Sequence, residues 1–334
     1  MNSTSNALLS TADAAGAPAF AATRNICRRH AKEFFFATAF LPVAKRNAAC
    51  AVFAFSRLIR EAIVPPKSTE VDVPAPSAVG DSCCSTNSID QTIALFRERL
   101  DEIYEHRLEL PLPEFRDESQ HALEAFSRTV HRYQISRQYF LDLAEGCRMD
   151  LTISRYATWA SLKQFCHRTG GVGGLILSCI LGLAHSDAGR RAEQIGNAMR
   201  LTNILRDLPA DLARGRVYLP LEDLARFKVS QADLAAGAVT ERFQALMRFE
   251  IARARDLYRQ GAEGIFWLEG DGSRLMASAL TVLHSGILGA IERGGYDVFS
   301  KRAHLSAAEK FRRMAKAWRL SRRPADRAVP EVFG

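Results

Sequence analysis

Asn203, Asp207 and Asp211 stand at i, i+4 and i+8 in the run 196–220. On a helix that spacing stacks three oxygen-bearing side chains on one face. Two carboxylates and an amide are the hard oxygen set that Mg²⁺ takes, because that ion keeps several waters and completes its shell from phosphate oxygens. Arg206 lies beside them, and Arg214 and Arg216 follow. A planar guanidinium binds phosphate oxygens in pairs. These residues alone suggest a Mg²⁺–diphosphate site on a helix. The competing reading is two solvated acids paired with the neighbouring arginines. Pro209, between the acids, removes one helical hydrogen bond and puts the spacing at Asp211 in question.

The elements that must carry this site are helical. Apolar residues recur at helical spacing over 47–63, 89–106, 115–134, 137–147, 162–183, 188–207, 240–263, 272–293 and 306–319. Alternating strand patterns are nearly absent, and no internal repeat or clean boundary divides the chain. The expectation is an all-α single domain over 22–323, with a disordered N-terminal tail at 1–21 and a C-terminal tail at 324–334. Residues 65–88, rich in Pro, Ser, Asp and Val, are expected to form one long mobile loop within it.

The 334 residues carry a net charge of +8, which admits an anionic partner: a polyphosphate, a membrane surface or nucleic acid. No nucleic-acid motif is present, so nucleic acid is not expected as a partner. The seven cysteines are odd in number, scattered and without paired metal-ligand spacing, which points to reduced thiols and a cytoplasmic location. The longest apolar run, 170–184, is too short to span a bilayer, so no transmembrane helix is expected. The basic stretch 310–323, with Trp318, reads either as a solvated helix face or as a peripheral membrane contact.

The segment LTNILRD at 201–207, with Asp211 and then GRVYLP at 215–220, resembles the second aspartate-rich motif of the squalene/phytoene synthase family. These enzymes join two prenyl diphosphates head to head. Further stretches follow in the family's order: HAKEFF at 30–35, VFAFSR at 52–57, FCHRTGGVGG at 165–174 and GYDVFSKR at 295–302. The resemblance spans roughly 22–320. It implies the helical isoprenoid-synthase fold with a central apolar cavity, a prenyl diphosphate substrate of C15 or C20, and Mg²⁺ as cofactor. It implies Asp207, Asp211 and Asn203 as metal ligands, with Asp207, Asp211 and Arg57 as the catalytic set. Asn203, Arg206, Arg57, His30, Lys32 and Arg302 are implied around the diphosphate, and Phe34, Phe165 and Leu175 on the prenyl pocket.

The chain also departs from the family pattern. Where the first Asp-x-x-x-Asp is expected, it reads Arg60-Glu61-Ala62-Ile63-Val64, so the two aspartates align with Arg60 and Val64. A pocket tyrosine aligns with Phe165, another with His284, and a glutamine with Arg200. An inward-pointing Arg60 would set a fixed guanidinium where a metal's charge is expected. An outward-pointing one would leave the site half lost. Three functions remain open on this reading: the head-to-head condensation, action on a preformed cyclopropyl prenyl diphosphate, and a non-enzymatic binding or assembly role. Squalene-type and phytoene-type products are not separated, and no dinucleotide fingerprint speaks for NADPH.

Overall fold

The computed structural model describes residues 16–64, 85–108, 117–182 and 185–322. Most of the loop expected at 65–88, including Cys83 and Cys84, lies outside the described residues; 85–88 open a helix instead. In chain order the helices are α1 (Ala17–His30), α2 (Lys32–Thr38), α3 (Val43–Ile63), α4 (Ser85–Tyr104), α5 (Asp117–Arg132) and α6 (Arg137–Thr152). After these come α7 (Trp159–Cys166), a π-turn (His167–Gly171), α8 (Val172–Leu181), α9 (Ala188–Arg206), α10 (Leu208–Leu212), α11 (Leu221–Arg226) and α12 (Gln231–Ala235). The last are α13 (Glu241–Ala262), a 3₁₀ turn (Glu263–Trp267), α14 (Ser273–Arg293) and α15 (Ala307–Ser321). No strand occurs among the described residues.

Three boundaries differ from the sequence expectation. Helix α1 starts at Ala17, inside the stretch expected to be tail. Pro18 fits its first turn, and buried Ala19 meets Ala51 and Ala125 in a small-residue contact. Helix α6 runs to Thr152 instead of stopping at Cys147, which brings Asp150 onto it. The single helix expected over 162–183 is interrupted by the π-turn, a feature often found at functional sites.

Two apolar cores flank the centre of the molecule. One gathers α7, α9, α13 and α14; the other gathers α3 to α6 with α8. Helix α9 runs between neighbours, packing on α8, the π-turn, α13 and α14. It meets the π-turn backbone to backbone. A Cβ on Gly196 would stand 2.3 Å from the Gly170 carbonyl oxygen, and one on Gly174 would stand 2.2 Å from the Ala192 oxygen. Only glycine permits this approach. Helix α14 is long and apolar enough to cross a membrane by length and composition, and 67% of that stretch is buried among the other helices.

Helix α13 also buries a carboxyl. Glu250 is 0% exposed and shares Arg253 (2.8 Å) with buried Asp223. Burial pushes Glu250 from 4.5 up to about 8, opposed by Arg253 and reinforced by Asp223. A raised carboxyl favours the fold below its unfolded value, and that contribution is lost as pH rises through the folded one. Thermal melts are therefore expected to show stability declining from about pH 4.5 to about pH 8, with Glu250→Gln flattening the decline. An unchanged slope in the variant would assign the decline to other groups.

Candidate functional site

A cavity of about 440 Å³ opens between α3, α8, α9 and α14. Its walls follow helical spacing. Helix α9 contributes Ala188, Ala192, Ile195, Met199 and Asn203, and α8 contributes Gly173, Gly174, Leu177 and Leu181. Helix α14 adds Ala277, Leu280, Thr281 and His284, while Phe34 and Phe53 close the side nearest α2 and α3. The lumen is largely apolar, with Arg60, Thr169, Arg200 and Asn203 among its polar lining residues. His284 also lines it: its Nδ1 lies 3.1 Å from the Leu280 oxygen, and burial lowers its pKa.

The α9 stripe that lines the cavity continues through Asn203 to Asp207 and Asp211. Helix α9 ends at Arg206, Asp207 is its C-terminal cap, and Pro209 opens the short α10. The register survives this break. The Asp207 N–H donates to the Asn203 oxygen (2.8 Å), and the Asp211 N–H donates to the Asp207 oxygen (3.1 Å). The three residues thus remain on successive turns; Asn203 lines the first cavity, while Asp207 and Asp211 follow beyond it and line neither cavity.

Each acid has arginine partners. Arg206 donates to both Asp207 oxygens (2.9 and 2.5 Å), and Arg302 donates to the same pair (2.7 and 3.3 Å). Burial raises the Asp207 carboxyl, but these two guanidiniums outweigh it and hold the group below its usual value. Asp211, 5% exposed, accepts from Arg214, yet burial dominates and its carboxyl is pushed up. The Asn203 Oδ1 is buried with no hydrogen-bond partner. An orphaned oxygen in line with two carboxylates suits a hard divalent cation, so this wall fits Mg²⁺.

The facing wall does not. A second cavity, of about 420 Å³, adjoins the first and shares Phe53, Arg60, Thr169 and Arg200 with it. Arg60 and Val64, at the positions where acids were expected, both line it. Arg60 is exposed at the mouth and lines both cavities, while Glu61, also exposed, lines neither and pairs with Arg57. Among the described residues, those of the α9–α10 wall included, no group of three His, Cys, Asp or Glu is placed to hold a metal, so the Asn203 row offers two carboxylates and an amide and no more.

Of the other residues singled out from sequence, Arg57 and His30 line the second cavity, Arg302 reaches Asp207, and Phe34 lines the first. Lys32 is exposed and lines neither cavity. Phe165 and Leu175, expected on the pocket wall, are not on it. Phe165 is 0% exposed, stacked on Tyr218 with centroids 5.2 Å apart, and covered by the Arg200 guanidinium at 4.8 Å. Leu175 lies off the α8 stripe of Gly173, Gly174, Leu177 and Leu181 and faces Gly189 instead.

One node has no counterpart in the sequence reading. Asp150 lines the second cavity, accepts from the Tyr218 hydroxyl, and pairs with Arg216 (3.5 Å) and Arg200 (3.9 Å). The local signal is the face Gly146, Cys147, Asp150: two small residues and an acid at i, i+1 and i+4.

Known proteins share this arrangement of helices. A dehydrosqualene synthase structure superposes with a TM-score of 0.77 at 22% identity, covering 92% of this chain and 98% of that one. A squalene synthase from Alicyclobacillus acidocaldarius does so with a TM-score of 0.69 at 22% identity, over 84% and 95%. In sequence, the chain is 33% identical over 299 residues to the 15-cis-phytoene synthase of Synechococcus elongatus, covering 86% of this chain and 88% of that protein. It is 34% identical over 304 residues to a phytoene synthase of Arthrospira platensis, with the same coverage. The squalene/phytoene synthase family model matches residues 27–309, from within α1 to the first turn of α15, and so takes in both cavities and the oxygen row of α9 and α10. The chain belongs to the squalene/phytoene synthase family.

Proposed function

We propose that the chain joins two prenyl diphosphates head to head and releases diphosphate. The observation that carries this reading is a largely apolar cavity lined by Asn203, whose row continues one and two turns further to Asp207 and Asp211. Asp207, Asp211 and Asn203 would hold Mg²⁺, which when bound offsets the charge that grows on a leaving diphosphate. Arg206 and Arg302 already sit on the Asp207 carboxylate, and Arg57 and His30 line the adjoining cavity, so guanidinium donors flank the place where phosphate oxygens would lie. The apolar walls from α8, α9 and α14 take a C15 or C20 chain and keep water from the allylic cation.

The test is incubation of the purified protein with Mg²⁺ and farnesyl or geranylgeranyl diphosphate, measuring released diphosphate and organic-phase products. Release with one of them supports the condensation and fixes the chain length. Release with neither overturns it. Arg60 in place of an acid favours a second reading, action on a preformed cyclopropyl prenyl diphosphate. That reading holds if such a substrate is consumed while the linear ones are not.

A cytoplasmic protein touching the membrane surface follows from the same chemistry, since the product is a hydrocarbon. Helix α15 exposes Phe311 (77%) and Trp318 (47%) beside exposed Arg312, Arg319 and Arg322. This suits an anionic lipid surface. Flotation with anionic vesicles, weakened in Phe311→Ser/Trp318→Ser, is the expected result; flotation unaffected by the pair would remove α15 from the contact.

A further inference from the structure

We propose that the second cavity seats a diphosphate group through guanidinium contacts alone, without a divalent cation. The inference rests on the reading that the α9–α10 oxygen row serves the metal-linked diphosphate, and it gives the facing wall a different chemistry.

The charge around this cavity argues for an anion. Arg57, Arg60 and Arg200 line it, and Arg216 reaches Asp150, its one lining acid among the described residues. Asp150 is shared by Tyr218, Arg216 and Arg200, so a single carboxylate stands against four guanidiniums. The other nearby acid, Glu61, is exposed outside the lining and pairs with Arg57. Arg60 has no ion pair among the described residues. A divalent cation would meet an excess of guanidiniums over carboxylates here, whereas phosphate oxygens would meet planar forks of donors.

The cavity is also built to hold its donors in place. The Arg200 guanidinium lies over the Phe165 and Tyr218 rings at 4.8 and 5.6 Å, and its Nε is buried without a hydrogen-bond partner. Phe165 and Tyr218 therefore act as a fixed base for a cation facing both cavities. Ser56, Arg57 and Arg60 all line the cavity from α3, and Ser56 and Arg60 are one turn apart, placing a hydroxyl beside the free guanidinium.

The experiment is calorimetric titration of the full chain with inorganic diphosphate and with farnesyl diphosphate, each in EDTA and each with Mg²⁺. Both ligands are expected to bind in EDTA, since they share the diphosphate. Arg60→Gln is expected to weaken binding in EDTA by roughly tenfold or more, while Phe311→Ser, on exposed α15 away from both cavities, leaves it within about twofold. Arg60 stands exposed at the cavity mouth, and an unchanged melting curve would show that Arg60→Gln folds. In Arg60→Asp/Val64→Asp, binding in EDTA is expected to vanish and binding with Mg²⁺ to persist.

No binding of either ligand in EDTA, or Arg60→Gln binding like the parent, would overturn the proposal. Turnover of prenyl diphosphates without binding in EDTA would sink this inference and leave the proposed reaction standing. Binding in EDTA without turnover of any substrate would do the reverse.

Discussion

Asp207→Asn is expected to lower diphosphate release from prenyl diphosphates by roughly a hundredfold or more, the scale of losing one preorganised charge contact at a developing anion. The substitution keeps the shape and removes the charge. It takes the middle member out of the row Asn203, Asp207 and Asp211, and it leaves Arg206 and Arg302 without their shared carboxylate. The fold is expected to change little, because the Arg302 side chain is 68% exposed and such pairs contribute about 0–1 kcal/mol. Release rates and a thermal melt on the same preparation give both readings. Full release from the variant would mean that Asp207 only anchors Arg302, and the metal-wall assignment would fall.

A large effect on stability is expected at Gly196. A methyl there would stand 2.3 Å from the Gly170 carbonyl oxygen, and that neighbour is backbone and cannot turn away. Gly196→Ala therefore forces α9 and the π-turn apart, at a cost of about 3 kcal/mol. For a chain of this length that corresponds to a Tm lower by roughly 4 °C. The control lies on the same cavity wall: a Cβ on Gly173 would meet nothing within 4 Å. Gly173→Ala is expected to be neutral or to stabilise by about 0.5–1 kcal/mol, because alanine orders a helix at less entropic cost. Equal losses at the two sites would show that glycine content, and not the close approach at Gly196, sets the stability.

The sequence made the α9 wall legible because its information is local. Asn203, Asp207 and Asp211 are spaced by one turn each, and the turn-to-turn hydrogen bonds hold that spacing across Pro209. The replacement of acids by Arg60 and Val64 was equally readable. Its direction was not, because inward or outward depends on how α3 packs against α6 and the π-turn. The Asp150 node escaped for a similar reason. Tyr218 and Arg216 come from the loop after α10 and Arg200 from α9, so the cluster exists only once distant segments meet. Phe165 was misplaced because an aromatic beside a glycine-rich run suits a pocket and a core equally. Contact with Tyr156, Tyr218 and Arg200 decided for the core. The helical architecture itself came through, since period-3.6 stripes survive almost any packing; the start of α1 did not, because its alanines carry no stripe strong enough to read.

The end of α9 at Asp207 also sets a contrast of charge. A long helix gathers about half a negative charge at its C-terminus. Asp207 adds a full carboxylate at that spot, and Asp211 follows within one turn. Arg206, Arg302 and Arg214 balance these groups. A polyanion reaching this end finds its donors already committed to carboxylates, and a cation must join it to change that pairing. The Arg60 side holds a guanidinium with no ion pair among the described residues and an excess of positive charge. One end of the paired cavities is thus poised to exchange partners and the other simply to attract.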